Sequence, residues 1–253
     1  MARSDNRQNR EIPTPGSDRS SGGSRQVYRH RDGNVRLNDA EMELVKVVGR
    51  FRTVAAKDVP EKSIARLAEI GLVQRSTQRV GRKAEPLEVV TLTPKGRKLA
   101  DGSRTASDAQ RYWSGVVKPN ELKHDLGIYR AYTDEAATIE KNGGQIKRVV
   151  MDFEFKSAIN SRMNRDKGPS KEERRKQLAE EYELPIVDGK VALPDVRIEY
   201  VDADGQDKHL DVEVITEHYR GAHRAGKSQS GFRLHDAAGS RAAVRDDHHL
   251  GWI

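Results

Sequence analysis

Pro194-Asp195 and Asp211-Val212-Glu213 are the residues of this chain whose types and spacing could do chemistry. Fifteen residues intervene between Asp195 and Asp211, and each acid sits in a short alternating run. Asp195, Arg197 and Glu199 alternate with Val196, Ile198 and Tyr200. Asp211 and Glu213 alternate with Leu210, Val212 and Val214, and Asp204-Gly205 marks a turn between the runs. The pattern predicts a β-hairpin. Successive side chains of a strand point to opposite faces. A two-residue loop would therefore set the polar row against the apolar row. A three-residue loop containing Gly205, or an equivalent bulge, brings both apolar rows to one face, and burial favours it. Asp195, Asp211 and Glu213 are then expected to point the same way. Three carboxylates on one face repel each other unless a cation lies between them. One solution is Mg²⁺ or Mn²⁺ held by Asp195, Asp211 and Glu213 as hard oxygen ligands. The other is Arg197, on the same face, completing an arginine–carboxylate ladder. With a metal, Glu213 would be a third ligand or would help activate a water for attack on a phosphodiester.

A helix is predicted from about Glu217. Its Arg220, Arg224 and Lys227 are spaced i, i+4, i+7 and form one stripe. Arg220 and Arg224 could bind the scissile phosphate, and Lys227 could stabilise the departing charge. The bland reading is a charged helix face balancing the sheet. His124-Asp125 opens an earlier helix. A metal-dependent phosphohydrolase built on that dipeptide needs further His and Asp ligands on helices, and the surrounding chain is mixed. Asp125 or Glu121 could instead be the early helix acid of a phosphodiester-cleaving fold; the plainer reading is a helix-surface acid. His248-His249 falls in a small, polar tail and is read as tail.

The elements that must position these acids follow from periodicity. Leu122, Leu126, Tyr129, Ala136 and Ala137 lie on one helix face, ended by Asn142-Gly143-Gly144. Ile146 to Phe155 reads as a strand region. Its strict alternation from Met151 to Phe155 places Asp152 and Glu154 on one face. Asn160 to Tyr182 is a charged, solvated helix, and Val187 to Lys190 a turn.

Upstream, Asn38 and Glu41 form a capping box for a helix ending near Gly49 to Phe51. A short helix follows at Ala55 to Asp58. A third starts at Pro60, buries Ile64, Leu67, Ala68 and Ile70, and is closed by Gly71. Leu72-Val73 starts an extended run, Gln74 to Lys83 is basic, Leu87 to Leu92 alternates, and Thr93 starts a helix. Ile64-x-x-Leu67-x-x-x-Gly71-Leu72-Val73, followed by Val90-Thr91-Leu92-Thr93-Pro94-Lys95-Gly96-Arg97-Lys98-Leu99, resembles the winged-helix pattern of bacterial DNA-binding proteins. The resemblance implies that Lys62, Ser63 and Arg66 face the major groove. It implies phosphate contacts for Arg75, Arg79, Arg82, Lys83 and Lys95.

Composition supports a polyanionic partner. The net charge is +7, from 46 basic and 39 acidic residues, and Val73 to Lys98 holds seven Arg and Lys against two Glu. The chain has no cysteine, which excludes disulfides, Cys-ligated zinc and thiol nucleophiles. No apolar run approaches the roughly 18 residues of a membrane span, and a cytoplasmic location is expected. The expected organisation is a disordered basic arm at 1–36, a winged-helix domain at 37–102, a linker at 103–120, an α/β domain at 121–235 and a flexible tail at 236–253. The fold class is α+β.

Pro194-Asp195 and Asp211-Val212-Glu213 also resemble the PD-(D/E)xK nuclease superfamily. Its usual lysine position is occupied by Glu213, or by Ile215 if Glu213 is the second acid. Lys227 would then be a displaced lysine. Over about residues 40 to 235 the layout resembles the replication-relaxation family of plasmid and mobile-element proteins. The matching pieces are the winged-helix segment, His124-Asp125-Leu126, Pro194-Asp195, and Asp211-Val212-Glu213-Val214-x-Thr216-Glu217. The resemblance implies double-stranded DNA as partner, in replication, relaxation or mobilisation, with a nuclease-like second domain of little or no activity and with a homodimer possible. The alternatives are an active Mg²⁺-dependent endonuclease and a winged-helix regulator whose second domain binds a ligand or partner.

Overall fold

The computed structural model describes residues 24–30, 33–79, 85–105, 108–115, 121–166, 170–215 and 229–237. The chain is a mixed α and β protein. It opens with β1 (Gln26–His30) and β2 (Gly33–Leu37), an antiparallel hairpin that registers Gln26 with Leu37 and Tyr28 with Val35. This corrects the disordered arm expected through residue 36. Tyr28, Val35 and Leu37 alternate around an Asp-Gly turn signal, and Val35 and Leu37 are buried. Residues 1–23 of that expected arm lie outside the described residues.

α1 (Asp39–Phe51) begins with the expected box: Glu41 N–H donates to Asn38 Oδ1 at 2.7 Å, and Asn38 N–H donates to Glu41 Oε2 at 3.0 Å. β3 (Thr53–Ala55), a 3₁₀ turn (Ala56–Asp58), α2 (Glu61–Glu69), β4 (Val73–Gln78), β5 (Leu87–Leu92) and α3 (Pro94–Gly102) follow. The strands form an antiparallel sheet in the order β3-β5-β4. α3 starts hard against this sheet: Thr93 caps it, and a Cβ on Gly96 would lie 2.0 Å from the Leu72 carbonyl oxygen. Only glycine allows that approach.

The second half comprises α4 (Leu122–Lys141), β6 (Gln145–Met151), α5 (Asp152–Arg165), α6 (Lys171–Glu181), β7 (Ile186–Val187), β8 (Lys190–Val191), β9 (Val196–Val201), β10 (Asp207–Ile215) and β11 (Arg233–Asp236). Its main sheet runs β11-β10-β9-β6; β11 is parallel to β10 and the other pairs are antiparallel. The strand expected through Phe155 ends at Met151. Alternation over five residues also fits a first helical turn, and Glu154 turns back to accept from the Met151 N–H at 3.4 Å and from Arg148 at 3.1 Å. β11 was not expected from sequence.

The two halves share one buried cluster, from Val35 to Val214. Phe51 packs edge-on against Tyr129, with centroids 5.3 Å apart, and Arg130 pairs with Asp58 at 2.7 Å. The segment expected as a linker is in part a strap. Gln110 and Tyr112 are buried, and Trp113 N–H donates to the Gly49 carbonyl at 2.7 Å. Trp113 also meets Phe153 edge-on, while Arg52, at φ +64°, stacks over both rings.

Candidate functional site

The acidic hairpin has the expected parity with a different loop. β9 and β10 register Val201 with Asp207 and Arg197 with Asp211, leaving a five-residue loop, Asp202 to Gln206, where three were expected. Gly205 takes φ +78°, and Asp202 Oδ1 accepts from the N–H groups of Asp204 and Gln206. Continuing the register by one residue sets Glu213 opposite Asp195. Val196, Ile198, Val212 and Val214 are fully buried on the apolar face. The acids therefore belong to the other face, as burial requires.

Arg197 holds that face together. Its Nε and Nη2 donate to Asp211 Oδ1 and Oδ2 at 2.7 and 2.8 Å. Its remaining donors reach the carbonyls of Tyr182 at 2.6 Å and Glu183 at 3.0 Å, just past the end of α6. The Phe155 ring lies 5.1 Å from the guanidinium. A planar fork matched to a carboxylate is a strong, geometrically specific contact. Here it lies almost wholly out of solvent.

Asp195 is engaged differently. Its Oδ2 accepts from the Val214 N–H at 2.8 Å and from His124 Nε2 at 3.0 Å, and its carbonyl accepts from the Asp152 N–H at 3.1 Å. The side chain thus stands in for a ladder acceptor where β9 begins. Burial pulls the His124 pKa down, but hydrogen bonds and charge from Asp125 and Asp195 outweigh it and hold it up at about 10. Burial raises the pKa of the neighbouring Asp125 carboxyl, with Glu121 and Asp152 adding to the rise. Lys156 pairs with Asp152, and its charge also feels Asp195 and Glu121. Sequence reasoning did not connect His124, Asp152 or Lys156 to Asp195. The Asp152–Lys156 spacing is a helical i, i+4 signal, hidden by reading that stretch as strand.

Glu213 is fully buried and registers with Leu234 on β11. The carboxylates of Asp195, Asp211 and Glu213 do not fit a shared Mg²⁺ or Mn²⁺. Arg197 occupies both oxygens of Asp211, and one oxygen of Asp195 is held by the Val214 amide and His124. Among the described residues, the acids and imidazoles whose ligand atoms gather within 4.8 Å are Asp134, Glu135 and His235. Lys227, Arg220 and Arg224 lie outside the described residues, as do His248 and His249.

The cations expected to face DNA divide into two sets. Lys62 and Arg79 are exposed, and Ser63 is half-buried. Arg66 is turned inward, pairing with Glu41 at 2.8 Å and donating to the Arg36 carbonyl at 3.1 Å. Arg75 bridges Glu61 and Glu88. Lys95 donates to the Ile70 carbonyl at 2.9 Å, capping the end of α2. Arg66, Arg75 and Lys95 each therefore have a partner within the chain. Each carries a positive charge beside an acid or a helix end. Arg82 and Lys83 lie outside the described residues.

No protein-family model, curated protein or solved structure matches this chain. Among the described residues, no helix is long and apolar enough to cross a membrane.

Proposed function

We propose that the chain is a double-stranded-DNA-binding protein of the plasmid or mobile-element replication, relaxation or mobilisation type. Its first half would work as a winged helix. Its second half would be a PD-(D/E)xK-like scaffold that positions DNA without cutting it. The observation that carries DNA as partner is topological. A short antiparallel sheet in the order β3-β5-β4 backs α1 and α2, and the basic connection from Arg79 to Lys83 joins β4 to β5. Such a layout suits a duplex contacted by α2 and by cations carried on the β4–β5 connection. The order α4-β6-β9-β10-β11 supports the nuclease-like reading of the second half. The Arg197–Asp211 clamp argues against cleavage, because it engages both oxygens of Asp211, one of the expected metal ligands.

A second reading, an active Mg²⁺-dependent endonuclease, is favoured by one observation. Lys156 lies with Asp152 beside Asp195, at the start of α5. Two assays separate the readings. Duplex binding by the full chain is expected at low salt, with affinity falling steeply as salt rises. Supercoiled plasmid is expected to stay intact with Mg²⁺ or Mn²⁺. Cleavage by the wild type that is lost in Asp195→Ala would establish the second reading. Absence of duplex binding at low salt would overturn both.

A further inference from the structure

We infer a divalent transition-metal site at Asp134, Glu135 and His235, independent of the DNA reading. It lies across the sheet from the Arg197 clamp. His235 registers with Val214, whose side chain faces α4, and Asp134 and Glu135 are carried by α4 itself. One ligand atom from each residue falls within 4.8 Å of the others. His235 Nε2 and Glu135 Oε1 are hydrogen-bonded at 2.8 Å, a pairing an ion would replace, and both side chains are buried, at 0% and 2% exposure. Asp134 is exposed and closes the group from outside. A cavity of about 380 Å³, lined in part by Glu135, Thr138, Tyr200 and Arg233, adjoins it on the Glu135 side.

The donor set selects the ion. One imidazole nitrogen and two carboxylate oxygens suit Zn²⁺ or Mn²⁺, whereas Mg²⁺ prefers oxygen alone and keeps its waters. Three protein ligands leave one tetrahedral position for a water. The local field already attracts a cation: Arg233 Nε stands 4.0 Å from the same Glu135 oxygen, on a side chain 45% exposed and able to swing away. A bound ion would staple β11, a four-residue strand at the sheet edge, onto α4.

The test uses the full chain, freed of metal with chelator and titrated with Zn²⁺, Mn²⁺ and Mg²⁺ by calorimetry, with melting temperature as a second readout. Saturable Zn²⁺ or Mn²⁺ binding near one equivalent is expected, with a higher melting temperature and weaker Mg²⁺ binding. Asp134→Asn, at an exposed position that leaves the core intact, is expected to weaken binding about tenfold or more. Arg233→Gln removes the competing cation and is expected to tighten it. His235→Gln should abolish the stoichiometric site; if it fails to fold, Asp134→Asn and Arg233→Gln decide. No saturable binding, equal affinity in the wild type and Asp134→Asn, or one equivalent retained by folded His235→Gln would each overturn the assignment.

Discussion

Arg197 and Asp211 meet through two parallel hydrogen bonds on the buried part of the β9–β10 face, with side chains 6% and 11% exposed. An exposed ion pair contributes about 0–1 kcal/mol. Breaking a buried one costs about 3–5 kcal/mol, because the remaining charge is stranded. Arg197→Met also leaves the carbonyls of Tyr182 and Glu183 without this donor. It is therefore expected to destabilise the protein by about 3–5 kcal/mol in urea unfolding. Arg197→Met combined with Asp211→Leu should recover a large share of that loss, since neither charge is then buried alone. A single-variant cost under about 1 kcal/mol would identify the clamp as a surface ladder.

His124 predicts a pH dependence. Its ring nitrogens lie 3.0 Å from Asp195 and 3.5 Å from Asp125, and its pKa is held at about 10 against an ordinary value of 6.5. Folding therefore favours the protonated ring. The stabilisation is complete below about pH 6.5 and is lost as pH rises toward 10. Asp125, whose carboxyl pKa burial also raises, acts in the same direction at lower pH. The urea midpoint of the wild type is expected to fall between pH 7 and pH 10, and that of His124→Gln to fall less. Parallel profiles for the two proteins would contradict the arrangement.

The same residues show what could be read from sequence. The capping box at Asn38 and Glu41 and the shared face of Asp195 and Glu213 depend on spacing and burial, both visible in the chain. The loop length was not, because parity permits three residues or five. Arg197 was visible as a candidate counter-charge, but its anchors at Tyr182 and Glu183 are backbone carbonyls from a distant helix end. No side-chain pattern announces them. Likewise, Asp195 meets His124 across 71 positions of sequence. Met151 to Phe155 misled for a local reason: a five-residue alternation satisfies both a strand and the first turn of a helix, and Glu154's hydrogen bond to the backbone decided it.

The cations of the first half predict a division of labour. Lys62 and Arg79 are exposed, whereas Arg66 and Arg75 are tied to Glu41, Glu61 and Glu88. Lys62→Ala with Arg79→Ala is expected to weaken duplex binding across sequences. It should also flatten the salt dependence by about 0.9 in slope for each phosphate no longer neutralised. Arg66→Ala is expected to act on stability, by about 1 kcal/mol, since its carboxylate partner is almost wholly buried. Fluorescence anisotropy over a salt series, beside urea unfolding, distinguishes the outcomes. A steep loss of affinity in Arg66→Ala with unchanged stability would return that residue to the groove.

Gln110 carries the last prediction. It comes from the segment between the two halves, yet it is buried and grips an edge strand as a neighbouring strand would. Its Oε1 accepts from the Val149 N–H at 2.8 Å, and its Nε2 donates to the Val149 carbonyl at 3.0 Å and to the Arg111 carbonyl at 3.0 Å. Val149 itself is fully buried, so water cannot readily replace these bonds. Gln110→Ala is expected to cost about 1–3 kcal/mol for each backbone group left unpaired. Hydrogen exchange at the Val149 amide should quicken with it. Gln110→Glu keeps the acceptor and loses the donor. It buries a charge facing a carbonyl oxygen, so it is expected to be at least as damaging as alanine. Unchanged Val149 exchange in Gln110→Ala would mean that β6 is held by β9 alone and that the strap contributes nothing to the sheet edge.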